Sequence, residues 1–266
     1  MKKVLLWILA FLIAAGTMVY QRITGPTYPM RGRADVGGTV VSYRLPRSAE
    51  NITDCEIAIA VPETSITGVL TFQRFKTKDG WTNVPFERQG TVLVGSLPKQ
   101  PMAGKLAYSV VLAKGETNVS LAGNQPVVIR FRGAVPPWVL IPHVLAMLLA
   151  MLFAARAGLE ALDKKGDPMK FAKAAAIFLF LSGFLLGPLM QYYGFGKLWT
   201  GFPLGTDLTD NKTLVAMIVW ILALRAGRKG KPARGWVLVA AIICFAVFLI
   251  PHSLLGSELD YSQLPK

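Results

Sequence analysis

Apolar residues follow two different patterns along this chain, and the two patterns divide it into regions. Five stretches are continuously apolar: 4–20, 135–155, 171–193, 213–224 and 235–250. Between the first and the second, short runs alternate apolar and polar residues, which is the period of half-buried β-strands. A helix that crosses about 30 Å of hydrocarbon needs roughly 20 apolar residues, so the long stretches predict membrane-crossing helices and the fourth is short for this role.

The alternating region predicts a two-sheet β-sandwich over residues 37–133. Its predicted strands are 39–45, 56–61, 68–75, 91–97, 105–112 and 127–132. Turn-forming residues such as Pro62, Pro98 and Gly104 separate them. Several short strands broken by turns over about 100 residues are typical of a sandwich.

One part of this region resembles a known family. Leu97 and Pro98, followed by Gly104 and the strand around Tyr108, resemble the late-strand region of immunoglobulin-like and fibronectin type III domains. The chain departs from antibody domains because Val110 stands where the second bridging cysteine would be. The resemblance implies a binding or spacer module and carries no catalytic residues.

The predicted fold class is a mixed membrane protein, a five-helix transmembrane bundle with an all-β sandwich inserted between helices 1 and 2. The predicted divisions are an anchor at 1–20, a linker at 21–36, the sandwich at 37–133, a four-helix transmembrane region at 134–252 and a C-terminal tail at 253–266. The composition agrees with this class, since 53% of the residues are hydrophobic and 17% are charged, with a mean hydropathy of +0.44.

Basic residues predict the orientation of this bundle. The segments 156–173 and 225–234 carry five Lys or Arg each, and the chain starts with Met-Lys-Lys. Because cytoplasmic loops retain positive charge, we expect a bacterial inner-membrane protein with its N-terminus in the cytoplasm and the sandwich and C-terminus in the periplasm. Twelve of the 29 basic residues lie in these cytoplasmic segments, so membrane lipid, and not nucleic acid, is the expected partner of the +14 net charge.

A candidate site is predicted where the helices meet the outer leaflet. His143 and His252 occur in the same tripeptide, Ile-Pro-His. Counted from the cytoplasmic arginines at 1.5 Å per residue, His143, Asp210 and His252 lie roughly 20 to 27 Å away, at about one depth. Imidazole and carboxylate groups suit a transition metal, and two histidines on separate helices suit haem b. The candidate metal ligands are His143, His252, Asp207, Asp210, Glu258 and Asp260.

Structural alternatives stand beside each of these assignments. Asp207, with Asp210 three residues later, also has the pattern of a helix N-cap. The histidines also suit interhelical hydrogen bonds. In the sandwich region, the basic run of Arg74, Lys76 and Lys78 is either a solvated edge strand or a surface that binds a partner.

The sequence offers no set of catalytic residues beyond the outer-leaflet cluster. It contains no nucleophile and base at a suitable spacing and no phosphate-binding loop. We therefore expect an accessory or assembly subunit, and not an enzyme, which binds a periplasmic or membrane partner through the sandwich and the outer-leaflet surface of the bundle. The alternative is a redox component that binds a metal or haem b.

Overall fold

The chain folds into two compact units. The computed structural model describes residues 2–230, 232–251 and 258–263. A helical unit spans Met1–Pro26 and Val135–Ser257, and a β unit spans Thr27–Ala134 and Glu258–Lys266. The β unit is therefore inserted after the first helix, and residues 258–263 belong to it and not to the helical unit.

In the residues that the structure describes, the helical unit contains five long helices, the number that the sequence predicts. The helices are α1 (Lys2–Thr24), α2 (Pro137–Ala161), α3 (Pro168–Phe180), α4 (Gly187–Phe195), α5 (Leu208–Ala226) and α6 (Arg234–Leu249). A π-helical segment, Leu181–Leu186, joins α3 to α4 and makes one continuous helix. Within the described residues, α1, α2 and the α3–α4 helix are long and apolar enough to cross a membrane, and α6 is apolar but has only 16 residues.

Small residues let the helices of this unit approach closely. A Cβ added to Gly158 would lie 2.9 Å from the Cβ of Ala241, and one added to Gly183 would lie 2.4 Å from Cγ2 of Thr213. Both distances are too short for a side chain, so glycine is needed where α2 meets α6 and where the π-helical segment meets α5. Close packing of small residues is the usual basis of helix association in membranes.

The β unit contains three sheets in the described residues. The strands are β1 (Met30–Val36), β2 (Thr39–Leu45), β3 (Ser48–Glu50), β4 (Cys55–Ala60), β5 (Thr67–Arg74), β6 (Thr82–Pro85), β7 (Glu87–Gln89), β8 (Val92–Leu97), β9 (Lys105–Lys114), β10 (Thr117–Ser120) and β11 (Val127–Arg132). β1 and β2 form a two-stranded ribbon. The larger sheet has the order β3-β11-β9-β5-β6, with β10 paired to β9, and the third sheet has the order β4-β8-β7.

The two larger sheets share one apolar core. Ile57 of β4, Leu70 of β5 and Val110 of β9 are at most 1% exposed and belong to the same cluster. The ring of Phe86 fills the space left by two glycines, since a Cβ on Gly68 or Gly95 would lie 3.1 or 3.0 Å from its atoms. This arrangement is compatible with the predicted sandwich.

The structure differs from the predicted strands mainly at short or polar segments. Predicted strands 39–45 and 127–132 coincide with β2 and β11, and the other four lie within two residues of β4, β5, β8 and β9. β1 lies in residues 21–36, which the sequence assigns to a linker, and only Val36 in it is buried. The less exposed positions of β1 include Gly32 and Ala34, residue types that are depleted in strands, so the segment gives a weak strand signal.

Candidate functional site

The predicted outer-leaflet residues fall into both units. His143 lies on α2, and its Nδ1 is 3.1 Å from the carbonyl oxygen of Ser182 in the π-helical segment. This contact confirms the hydrogen-bonded alternative for His143. His252 lies outside the described residues.

Asp207 and Asp210 organise the start of α5. Asp207 is the N-cap, and its carboxylate accepts the backbone N–H of Thr209 at 2.8 Å, so the predicted cap is confirmed. Oδ2 of Asp210 accepts the backbone N–H groups of Thr200 and Gly201 at 2.7 and 2.9 Å. Both residues are 8% exposed, and Asp207 caps the helix whereas Asp210 holds the loop that precedes it.

The next two residues of α5 extend this network. Oδ1 of Asn211 accepts the backbone N–H of Phe202 at 2.7 Å, and Nζ of Lys212 donates to the carbonyl of Ile250 at 2.7 Å. Lys212 is 3% exposed. The polar residues at the start of α5 therefore satisfy backbone groups of their own unit.

Glu258 and Asp260 are part of the β unit. The six predicted ligands are thus divided, with His143, Asp207 and Asp210 in the helical unit. Among the residues that the structure describes, no group of three or more His, Cys, Asp or Glu side chains is placed to hold a metal. The metal and haem b hypotheses stay predictions.

A different site lies where residues 258–263, here called the tail segment, pack on the β unit. Oε2 of Glu258 lies 3.0 Å from Nζ of Lys76 and 3.3 Å from Nζ of Lys105. The backbone N–H of Leu259 donates to the carbonyl of Ala103 at 3.2 Å. The surface that receives the segment, here called the tail site, consists of Arg74, Phe75, Lys76, Gln100, Ala103 and Lys105.

Tyr261 anchors the tail segment to the first residue of β9. Its hydroxyl accepts the backbone N–H of Lys105 at 2.8 Å and lies 2.9 Å from the Lys105 carbonyl and 3.1 Å from Oε1 of Gln100. The guanidinium of Arg74 lies 5.2 Å from the centre of the Tyr261 ring, within the range of a cation–π contact. A Cβ on Gly104 would lie 3.0 Å from the hydroxyl, so glycine leaves room for it.

A cleft of about 530 Å³ lies between the tail segment and the neighbouring turn of the β unit. One wall is the turn of residues 74–79 and the other is residues 258–262. Arg74 is paired with Asp79 across the turn, with Nε and Oδ2 2.5 Å apart, whereas the side chain of Lys78 is exposed at the cleft. The cleft is therefore lined by charged groups of both signs and by the rings of Phe75 and Tyr261.

The charges at the tail site are coupled. Partial burial raises the pKa of Glu258, but hydrogen bonds and positive charge from Lys76 and Lys105 outweigh it, so the pKa lies below its usual value. Burial, together with the nearby charge of Arg130, lowers the pKa of Lys105 despite the attraction of Glu258. The docked arrangement of the tail segment therefore favours the ionised carboxylate of Glu258.

The tail site also contains strained backbone. Lys76 and Ala103 have φ angles of 58° and 64°, a region that residues other than glycine rarely adopt. Lys76 pairs with Glu258, and the carbonyl of Ala103 accepts the N–H of Leu259. Residues held in this conformation cost roughly 1 to 3 kcal/mol each and tend to occur at binding or active sites.

Sequence reasoning named Glu258, Asp260 and the basic run but did not join them. The contact between Lys76 and Glu258 spans 182 residues, which no local pattern reports. Charge complementarity between the basic run and the acidic residues 258–260 is the signal that was available. Comparisons with protein-family models, curated proteins and solved structures find no match for this chain.

Proposed function

We propose that this protein is a membrane-anchored accessory or assembly subunit of the bacterial inner membrane that binds a protein partner through its β unit. The observation that carries the proposal is the cleft beside the tail site, together with the short acidic segment that the same surface holds. A surface that holds one short segment through side-chain anchors has the chemistry needed to hold another.

The strand order supports an immunoglobulin-like sandwich for the β unit. In such domains strands G, F, C and C′ form one sheet and strands B, E and D lie in the other. The orders β11-β9-β5-β6 and β4-β8-β7 correspond to these two sets. Domains of this architecture commonly present loops and edges to other proteins.

Tyr108 supports the same assignment. It lies near the start of β9, two residues before Val110, and is fully buried. A tyrosine at this place in strand F typically bonds a backbone group and fixes a corner of the sandwich. Here the Tyr108 hydroxyl donates to the carbonyl of Pro46 at 2.7 Å, a residue in a distant part of the chain, which departs from the usual local bond.

The composition of the β unit favours a protein partner. Residues 27–134 contain 13 basic and eight acidic residues, and the cleft combines Arg74, Lys78, Phe75 and Tyr261. Arginine and aromatic side chains are enriched in protein interfaces. The long apolar helices α1, α2 and α3–α4 support the role of the helical unit as the membrane anchor and as a second contact surface within the bilayer.

Charge reversal at the cleft tests this function. We expect that the wild-type chain, extracted in mild detergent, co-purifies with a defined partner and that K78E, combined with K76E, removes it. R33E, at an exposed position on β1 outside the cleft lining, is the matched control and should retain the partner. Equal retention by both variants, or a wild-type chain that is monomeric without a partner, would contradict the proposal.

A further inference from the structure

The tail segment is held by a small number of contacts that a peptide from another protein is able to reproduce. A backbone hydrogen bond joins the segment to the rest of the β unit, from the N–H of Leu259 to the carbonyl of Ala103. The anchors described above are side chains, the carboxylate of Glu258 and the hydroxyl and ring of Tyr261. The segment thus binds the tail site as a ligand does, and not as a strand of the sheet.

The ionic part of this contact is exposed to water. The side chains of Glu258 and Lys76 are 30% and 68% exposed, and only that of Lys105 is largely covered, at 13%. Ion pairs with this exposure contribute little to stability because water and salt screen them. The contact is therefore selective for an acidic group and is weak enough to exchange.

The hydroxyl of Tyr261 defines what a replacement must supply. It serves both backbone groups of Lys105, and an occupant that lacks an oxygen at this position would cover the N–H without accepting its hydrogen bond. A partly buried N–H without an acceptor is unfavourable, so the tail site favours an occupant with an oxygen at this position. In the tail segment that oxygen stands three residues after the carboxylate.

We propose that the tail site is a peptide-docking surface for an acidic partner segment in which a tyrosine follows a carboxylate by three residues, and that the tail segment is its internal, exchangeable occupant. This rests on the proposed function, because it names the chemistry of the partner that the β unit binds. A partner segment displaces residues 258–263 and takes over the contacts to Lys76, Lys105 and Gln100. Covalent attachment gives the tail segment a high local concentration. Only a partner that makes further contacts with the protein therefore displaces it.

The test uses a capped fluorescent hexapeptide with the sequence of residues 258–263. It is titrated against the full-length protein and against a chain that ends at Ser257, both in the same detergent. We expect saturable binding to the shortened chain and binding at least about fivefold weaker to the full-length chain, since the attached segment competes. A scrambled hexapeptide of the same composition is the control and should bind neither.

Peptide variants identify the two anchors. Changing the position of Glu258 to Gln, or that of Tyr261 to Phe, should weaken binding to the shortened chain by about three- to tenfold each, the usual loss for one hydrogen bond. A full-length chain carrying both E258Q and Y261F should bind the wild-type peptide more tightly than the wild-type chain does. This second arm decides the question if the shortened chain does not fold.

The outcomes separate this inference from the proposed function. The hexapeptide should bind the chain that ends at Ser257 and the E258Q/Y261F variant more tightly than the wild-type chain. Equal binding to all three chains, or binding to none of them, overturns the proposal that the tail segment is an exchangeable occupant. If the hexapeptide behaves as expected but no partner co-purifies with any form, the docking surface stands and the accessory role falls. If a partner is captured equally with and without the tail segment, the accessory role stands and the exchange mechanism is overturned.

Discussion

The hydroxyl oxygen of Tyr261 lies 2.8 Å from the backbone nitrogen of Lys105 and 2.9 Å from its carbonyl oxygen. Lys105 is the first residue of β9, the strand that pairs with β5, β10 and β11. One side chain from residues 258–263 therefore completes the hydrogen bonding of this strand at its start. Tyr261 also lines the cleft on which the proposed function depends.

Replacement of Tyr261 by phenylalanine should release the tail segment. The variant keeps the ring beside Arg74 but removes the acceptor of the Lys105 N–H, a loss of about 1 kcal/mol for a typical hydrogen bond. We expect hydrogen exchange at the Lys105 amide to become roughly fivefold faster than in the wild type. Y192F, in the helical unit, is the control, and unchanged exchange in Y261F would show that the hydroxyl does not hold the segment.

Docking of the tail segment should weaken in acid. The pKa of docked Glu258 lies below its ordinary value of about 4.3, so the carboxylate form favours docking. The stabilisation is complete above the ordinary pKa and is lost as the pH falls through the lowered one. The ¹⁹F resonance of 3-fluorotyrosine at position 261 should shift toward its undocked value below about pH 4.

The matched variant for this titration is E258Q. It carries no titrating group at position 258, so its ¹⁹F resonance should not follow the same acid transition. A wild-type resonance that does not change between pH 7 and pH 3, or a variant that titrates like the wild type, would contradict the role of Glu258.

Local patterns predicted those parts of the fold whose residues alternate or remain apolar over long runs. β2 and β11 were placed at their observed bounds because their inward residues are apolar and buried, such as Val41 and Ile129. The polar first turn of α5 was recognised from Asp207, because an N-cap acts within three residues of itself. β1 and β3 were not predicted, since β1 has glycine and alanine at its less exposed positions and β3 has only three residues.

The tail site was beyond local patterns because its groups are distant in sequence. Glu258 and Asp260 were grouped with the histidines because they follow the fifth apolar stretch, which assumes that the chain stays near the membrane after α6. The structure instead pairs Glu258 with Lys76 and Lys105. Only the tertiary fold of the β unit brings Ala103 and Lys105 beside the turn that contains Lys76, and no periodicity encodes that approach.

Tyr108 should contribute measurably to the stability of the β unit. Burial, with a smaller effect of Cys55, raises the pKa of its hydroxyl, which stays protonated and donates to Pro46. Y108F keeps the packing but leaves the carbonyl of Pro46 without this donor, a cost of about 1 to 2 kcal/mol. Chemical denaturation, followed by the circular dichroism signal of the β-sheets, should detect this loss of stability. Y43F is the control. An unchanged denaturation midpoint in Y108F would show that the hydrogen bond to Pro46 contributes nothing.

Asp210 should matter more than Asp207 for the helical unit. Asp207 provides one cap bond, and its replacement by alanine should cost about 1 kcal/mol. Asp210 accepts two backbone N–H groups, so D210A leaves both without their charged acceptor and should cost about 2 to 4 kcal/mol. Thermal unfolding in detergent ranks the two variants, and a smaller effect of D210A would show that the loop before α5 is held by other contacts.

Site-specific photo-crosslinking at the cleft tests the proposed function most directly. A photoreactive amino acid in place of Lys78 is irradiated in intact cells, and the attached peptide is sequenced by mass spectrometry. The account predicts one dominant adduct with a single protein, mapped to a segment in which a tyrosine follows a carboxylate by three residues, and a stronger adduct when the chain ends at Ser257. Adducts confined to lipid in the shortened chain, and to lipid and residues 258–263 of the same chain in the full-length protein, would contradict it.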